Sequence, residues 1–237
     1  VMAHPGDECS GAVPIALGAS TLDNTGATPS AGQLTCFPGA VNDVWYVLTA
    51  ANDNIVEFSL DSPALTFVEV YTGSCGALQS EACAIAFVGT TTTLYARPGG
   101  AGDLVYLRYG AFPGPGVVSP VTITEIPPPM NDDCTGAIPL VRGVPEPFDT
   151  IAASDSGVPF ACAPNVGPDL WYSYTASSSN VMIRAETCGS ALDTVLEAFE
   201  GTCNGLVSLA CNDRYCGVQS RVNLTSVVAG TTYYFRV

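Results

Sequence analysis

The chain carries its cysteine framework twice. Cys9, Cys36, Trp45, Cys75 and Cys83 recur as Cys134, Cys162, Trp171, Cys203 and Cys211, at an offset of 125 to 128 residues. The text around the anchors matches as well. Asp7-Glu8-Cys9-Ser10-Gly11-Ala12 answers Asp132-Asp133-Cys134-Thr135-Gly136-Ala137, and Asp43-Val44-Trp45-Tyr46 answers Asp169-Leu170-Trp171-Tyr172. Tyr71-Thr72-Gly73-Ser74-Cys75 answers Phe199-Glu200-Gly201-Thr202-Cys203. A chain of 237 residues built this way folds as two units of domain size, each able to bury its own core. Features present in both copies are expected to be scaffold. Features confined to one copy are candidates for something more specific.

Ten cysteines placed in register read as a disulfide framework, which implies an oxidising compartment. The expected location is the outside of a bacterial cell, secreted or at the surface. The simplest pairing joins neighbours: Cys9–Cys36 and Cys75–Cys83, then Cys134–Cys162 and Cys203–Cys211. Cys188 and Cys216 occur only in the second copy, as expected if they bond each other. Spacing alone leaves the pairing open, because six cysteines allow fifteen connectivities. A zinc knuckle is disfavoured, since there is no Cys-x-x-Cys and the single histidine is His4.

The formal net charge is −15, from 22 acidic residues against seven arginines and no lysine. Nucleic acid is an improbable partner, because neutralising phosphates needs a basic surface. No apolar run reaches the roughly 18 residues of a membrane-spanning helix, so membrane insertion is not expected. No signal peptide is visible, and the expectation is that Val1 follows a removed leader or further repeats.

Short apolar stretches, many of them β-branched or aromatic, alternate with turns built from 24 glycines and 18 prolines. That pattern predicts all-β sandwiches, with little helical periodicity anywhere. Strands are expected at 43–50 and 169–176, then at 54–60 and 180–186. In the next strand Thr66, Val68 and Val70 share one face, and Phe67, Glu69 and Tyr71 share the other. Thr194, Leu196, Ala198 and Val195, Glu197, Phe199 repeat this, so the two-residue period survives duplication. The penultimate strands 101–109 and 229–237 align, each with an arginine. The first copy adds a closing strand at 117–126, then a proline spacer at 127–130. The reading is therefore repeat 1 at 1–126, a linker at 127–130, and repeat 2 at 131–237 lacking its last strand. An unpaired sheet edge is a template for another chain, so the edge is either an effect of truncation or a site for strand addition between subunits.

The second copy opens Asn131-Asp132-Asp133-Cys134. It continues through Leu192-Asp193-Thr194-Val195-Leu196, Ala210-Cys211-Asn212-Asp213 and Gln219-Ser220-Arg221, and it closes Ala229-Gly230-Thr231-Thr232-Tyr233-Tyr234-Phe235-Arg236-Val237. These five ordered motifs resemble the bacterial pre-peptidase C-terminal (PPC) type domain, in the cysteine-containing form found as tandem repeats of secreted proteins. The resemblance covers residues 131–237, and residues 7–126 more faintly. It implies a non-catalytic, jelly-roll-like β-sandwich, an accessory to secreted hydrolases or a repeat in surface proteins, with calcium or an extracellular polymer bound by some relatives. The expected fold is thus two tandem disulfide-stabilised jelly-roll-like β-sandwich domains. The first copy departs from the pattern, with Leu65 in place of Asp193 and Ala84-Ile85 in place of Asn212-Asp213.

Asp193, Asn212 and Asp213 are accordingly a candidate Ca²⁺ set, since hard cations take oxygen ligands. The competing reading is that they cap turns. Asp132 and Asp133, with Asp7 and Glu8, form a second acidic cluster, read as a solvated linker. Asp43 and Asp169 are read as scaffold carboxylates accepting backbone hydrogen bonds. Trp45 and Trp171 are read as core-filling, with a sugar platform as the alternative. A Ser-His-Asp triad would need a histidine, and His4 lies near one end. No carboxylate pair is singled out for glycoside chemistry. The Asn223-Leu224-Thr225 sequon falls in an expected strand and is read as incidental. No catalytic residue is expected. The expected function is a secreted structural or adhesive protein, the subunit of an extracellular filament, with copies of itself or an extracellular polymer as partner. The alternatives are a substrate-binding module of a secreted hydrolase and, from a different class, a hydrolase in its own right.

Overall fold

The short β-branched and aromatic stretches become sixteen strands in a computed structural model that describes residues 4–30, 42–112, 116–163 and 167–237. The chain divides into two compact units, Val1–Pro127 and Pro128–Val237, with the boundary inside the proline spacer. Apart from two three-residue 3-10 turns at Cys9–Gly11 and Cys134–Gly136, both units are all-β. No helix among the described residues is long and apolar enough to cross a membrane.

In the first unit the strands are β1 (Val13–Pro14), β2 (Gly18–Asp23), β3 (Asn42–Thr49), β4 (Ile55–Asp61), β5 (Thr66–Ser74), β6 (Ala77–Ala86), β7 (Thr91–Ala96), β8 (Leu104–Ala111) and β9 (Val118–Ile126). One sheet runs β1-β3-β8-β5-β6 and the other β2-β9-β4-β7. The two sheets bury a common core. Val44, Tyr46, Val68, Val70, Leu107 and Tyr109 come from the first, and Leu22, Phe58, Leu60, Val121 and Ile123 from the second. This is a β-sandwich, with alternating inward residues from both sheets.

The second unit repeats the first sheet. Its strands are β10 (Ile138–Pro139), β11 (Trp171–Thr175), β12 (Ile183–Glu186), β13 (Leu196–Thr202), β14 (Gly205–Asn212), β15 (Arg221–Leu224) and β16 (Thr232–Arg236). The order β10-β11-β16-β13-β14 reproduces β1-β3-β8-β5-β6, down to the parallel pairing of its first two strands. The facing sheet is different. Among the described residues it holds only β12 and β15.

Both hairpins of the shared motif turn at a glycine, Gly73 at φ +100° and Gly201 at φ +112°. A side chain would be strained there, which accounts for the repeated Gly-x-Cys.

The disulfides correct the expected pairing. Cys9 bonds Cys75, Cys134 bonds Cys203, Cys162 bonds Cys211, and Cys188 bonds Cys216. Cys83 is also disulfide-bonded; Cys36 lies outside the described residues. Neighbour pairing fails for a geometric reason. Cys75 sits at the tip of the β5–β6 hairpin, whereas Cys83 lies far down β6 opposite Glu69. An extended strand advances about 3.3 Å per residue, so the two cysteines are roughly 20 Å apart, beyond the ~7 Å Cα limit of a disulfide. Cys203 and Cys211 stand in the same relation on β13–β14, with Cys211 opposite Glu197.

Candidate functional site: an open strand edge in the second unit

The most buried charges in the chain occur as one cluster in each unit. Arg108 on β8 donates from Nε to Asp43 Oδ2 at 2.7 Å and lies 3.8 Å from Glu69. Asp43 also accepts the Ser30 amide at 2.9 Å and the Ser30 hydroxyl at 2.5 Å. Arg236 on β16 donates to Glu197 at 3.0 Å, lies 3.6 Å from Asp169, and donates to the carbonyls of Val158 and Pro159. Its guanidinium stacks on Phe160 at 3.8 Å from the ring centroid. The Cys162–Cys211 bond pins the neighbouring loop beside this cluster, where the Ala161 amide donates to Glu197. All six charged residues are at most 3% exposed. Asp43 does accept a backbone hydrogen bond, as expected, but its main partner is a buried arginine. Glu69 and Glu197 were not expected as partners. The signal was a glutamate kept in both copies in the middle of an apolar strand, matched by an arginine kept in both penultimate strands.

The two clusters differ in one carboxylate. Burial pushes the Asp169 carboxyl above its ordinary range, and the Ser156 hydrogen bond and Arg236 only partly oppose this. Its Oδ1 has no hydrogen-bond partner. Closed clusters of this kind, shared by both units and walled off from water, are scaffold. Trp45 and Trp171 are buried beside them, 5% and 6% exposed, and so are not open platforms.

The accessible difference between the units lies on the facing sheet. In the first unit β4 is central, with β7 on one side and β9 on the other. In the second unit β12 pairs β15 and has no described neighbour on its other edge. Phe58 pairs Leu94, and Ile183 pairs Leu224; Leu60 pairs Thr92, and Ala185 pairs Val222. Ile183 and Ala185 therefore take the places of Phe58 and Leu60, one residue out of step with the alignment that starts at Asn54 and Asn180. A one-residue slip exchanges the two faces of a strand. It turns Arg184 and Glu186 outward and Ile183 and Ala185 toward the core.

Beside the open edge lies a cleft of about 820 Å³. Leu140, Phe148, Tyr172, Ile183, Leu196 and Phe235 form its apolar wall. In the first unit Val121 and Ile123 of β9 and Leu22 of β2 belong to the core, 2%, 1% and 0% exposed. The corresponding Tyr46 is tied to β2, with its hydroxyl accepting the Asp23 amide at 2.7 Å. Burial pushes the Tyr172 phenol up, against a hydrogen bond with Asn131. Val181 and Met182, at the entry to β12, are 43% and 53% exposed.

Arg142 and Arg184 also line the cleft. Among the described residues no carboxylate lies within 4.0 Å of either. Glu186 is already held by Arg221 at 2.6 Å, and Glu146 lines the same cleft.

The bond peculiar to the second unit sits at the far end of this sheet. Cys188 follows β12 and Cys216 precedes β15, so their disulfide ties the two strands together outside their four-pair ladder.

The candidate calcium residues stand near Arg214. Asp193 lies 3.8 Å from the Arg214 guanidinium, and Asn212 donates to the Arg214 carbonyl while its Oδ1 accepts the Arg221 amide at 3.0 Å. Arg214 weakens the negative field a hard cation needs, and the Asn212 oxygen is already engaged. Asp213 is half-buried beside them. No group of three acidic, histidine or cysteine side chains placed to hold a metal ion occurs among the described residues. In the other acidic cluster, Asp7 accepts from Thr28 and His4, and Asp132 accepts from Ser154, which makes both turn-stabilising carboxylates. His4 Nδ1 is 2.6 Å from the carbonyl of Pro5. Asn223 is exposed on β15.

No family model matches the chain, and no curated protein does. Among solved structures, the PBSX exported protein XepA aligns over 92% of this chain and 85% of its own, at 8% identity and a TM-score of 0.27. A likeness that low carries no argument about fold or function.

Proposed function

We propose that the chain is a non-catalytic, secreted structural protein whose second unit is completed by a β-strand from a neighbouring subunit, so that copies join into an extracellular filament. The observation that supports this reading is that, among the described residues, β12 has no neighbour on the edge that β4 gives to β9 in the first unit, above an apolar cleft. Strand addition satisfies an edge's free backbone groups, while pockets for alternate side chains set the register. Oxidised cysteines suit the extracellular setting. The repeat role implied by the resemblance to PPC-type domains fits the same reading.

The test is to fill the cleft from within. Appending the sequence of residues 112–127 behind Val237 supplies a copy of β9 in cis. The fused chain should melt at a higher temperature and remain monomeric in sedimentation, while the 237-residue chain assembles with rising concentration. An appended strand that leaves both melting and assembly as they were overturns the proposal. A retained assembly with raised stability would mean that subunits join by another surface.

A further inference from the structure

The two hairpins of the repeated motif carry different residues at their tips. We propose that Asn204, at the tip of the β13–β14 hairpin, is a site of spontaneous covalent modification. The Gly205 backbone nitrogen gives up its proton and attacks the Asn204 side-chain carbonyl carbon. A new C–N bond closes a cyclic imide, and ammonia leaves. Water then cleaves one of the two C–N bonds of the imide, which yields aspartate or isoaspartate at 204.

Sequence and position together select this residue. Asparagine is among the chemically labile residue types, and a side chain on the residue that follows crowds the attacking nitrogen. Glycine has none. Asn204 is the only asparagine followed by glycine, and no aspartate is followed by one. Cys203 and Asn204 form the two-residue turn between Thr202 and Gly205, which pair across the hairpin. Asn204 is exposed, and among the described residues its side chain has no hydrogen-bond partner to hold the amide away from the backbone.

The backbone does not require glycine at 205. Its φ is not positive, unlike that of Gly201, and a Cβ there would meet nothing within 4 Å. In the first unit the equivalent pair is Gly76-Ala77, with Ala77 facing Ser74 as Gly205 faces Thr202. The first hairpin thus makes the same two-residue turn with alanine at this place and no amide side chain before it. The chemistry is confined to the second unit. Either product adds a negative charge at neutral pH. Isoaspartate also routes the main chain through the side-chain carbon, which inserts a methylene between Cys203 and Gly205. The length of a two-residue loop sets the register of its hairpin, so the Thr202–Gly205 pair is the contact displaced. The Cys134–Cys203 bond keeps the altered tip attached.

The test is timed peptide mass spectrometry on the whole chain, stored with its disulfides intact at mildly alkaline pH and digested after increasing intervals. Asn204 should convert ahead of every other asparagine, with the mass gain of an amide-to-acid exchange. Both aspartate and isoaspartate should appear at 204, distinguished by backbone fragmentation. Conversion should quicken as pH rises, because the attacking nitrogen must lose its proton. Gly205→Ala copies the first unit and should keep most of its Asn204 over the same period, with the Trp45 and Trp171 transitions showing both units folded. Conversion at 204 no faster than at the other asparagines, or unaltered by Gly205→Ala, overturns the proposal. So does aspartate without isoaspartate, the mark of direct hydrolysis.

Discussion

The two units share one sheet almost strand for strand and differ in the other. In the first, β9 and β2 close the sandwich, and the core is complete without a covalent tie on that side. In the second, β12 and β15 are the described strands of that sheet, joined in a four-pair ladder, and the Cys188–Cys216 bond ties their ends. Two-stranded sheets are marginal in water. The extra disulfide therefore adds a covalent tie to a ladder that is short among the described residues.

Each unit has one tryptophan, Trp45 or Trp171, so single-tryptophan variants can report the unfolding of one unit at a time. The largest expected effect separates the two charge clusters. Asp43→Asn should cost the first unit about 3 kcal/mol in denaturant unfolding followed by Trp45, because it leaves a buried arginine without its closest partner. Asp169→Asn should cost the second unit less than ~1 kcal/mol at neutral pH, since burial already disfavours the Asp169 charge and Arg236 keeps Glu197. The pH dependence has a definite sign. The folded-state pKa of Asp169 is raised, so its favourable contribution is fully present below the unfolded value near 3.8 and is lost as pH rises through the folded value. Wild type should thus compare best with Asp169→Asn near pH 4 and worst near pH 7. Equal costs at the two aspartates would break the contrast.

Next in size is the disulfide. Replacing Cys188 and Cys216 together by serine should lower the stability of the second unit by about 2–4 kcal/mol, read from Trp171, and leave the Trp45 transition in place. A loss below ~0.5 kcal/mol would mean that packing alone holds β12 to β15. Smallest is the response to chelation. With Arg214 among the candidate ligands, excess EDTA should leave both transitions unchanged. A drop of several degrees in the second would restore Asp193, Asn212 and Asp213 as calcium ligands.

The duplication made two all-β units legible, along with most strands and the pairing of Cys188 with Cys216. It did not make the other disulfides legible. Sequence distance suggested Cys75–Cys83, but an extended hairpin arm carries those residues apart as fast as a chain can. The register of β12 was hidden by one lost residue between Asn180 and Ile183, where Asn180 takes φ +60°. The alternation Ile183-Arg184-Ala185-Glu186 itself pointed to the right faces. The calcium set was read from oxygen-bearing residue types alone, and only the fold shows Arg214 standing 3.8 Å from Asp193.

The bonds Cys9–Cys75 and Cys134–Cys203 enclose sequence separations of 66 and 69 residues. When a unit is pulled from its two ends, force passes through the sulfur bridge and the enclosed stretch stays slack. At about 3.4 Å per extended residue, each bridge keeps more than roughly 200 Å of chain out of the line of tension. The chain that still lengthens under such a pull lies mainly in 75–127 and 203–237, so each unit extends by about half of its contour length or less before the load reaches a covalent path.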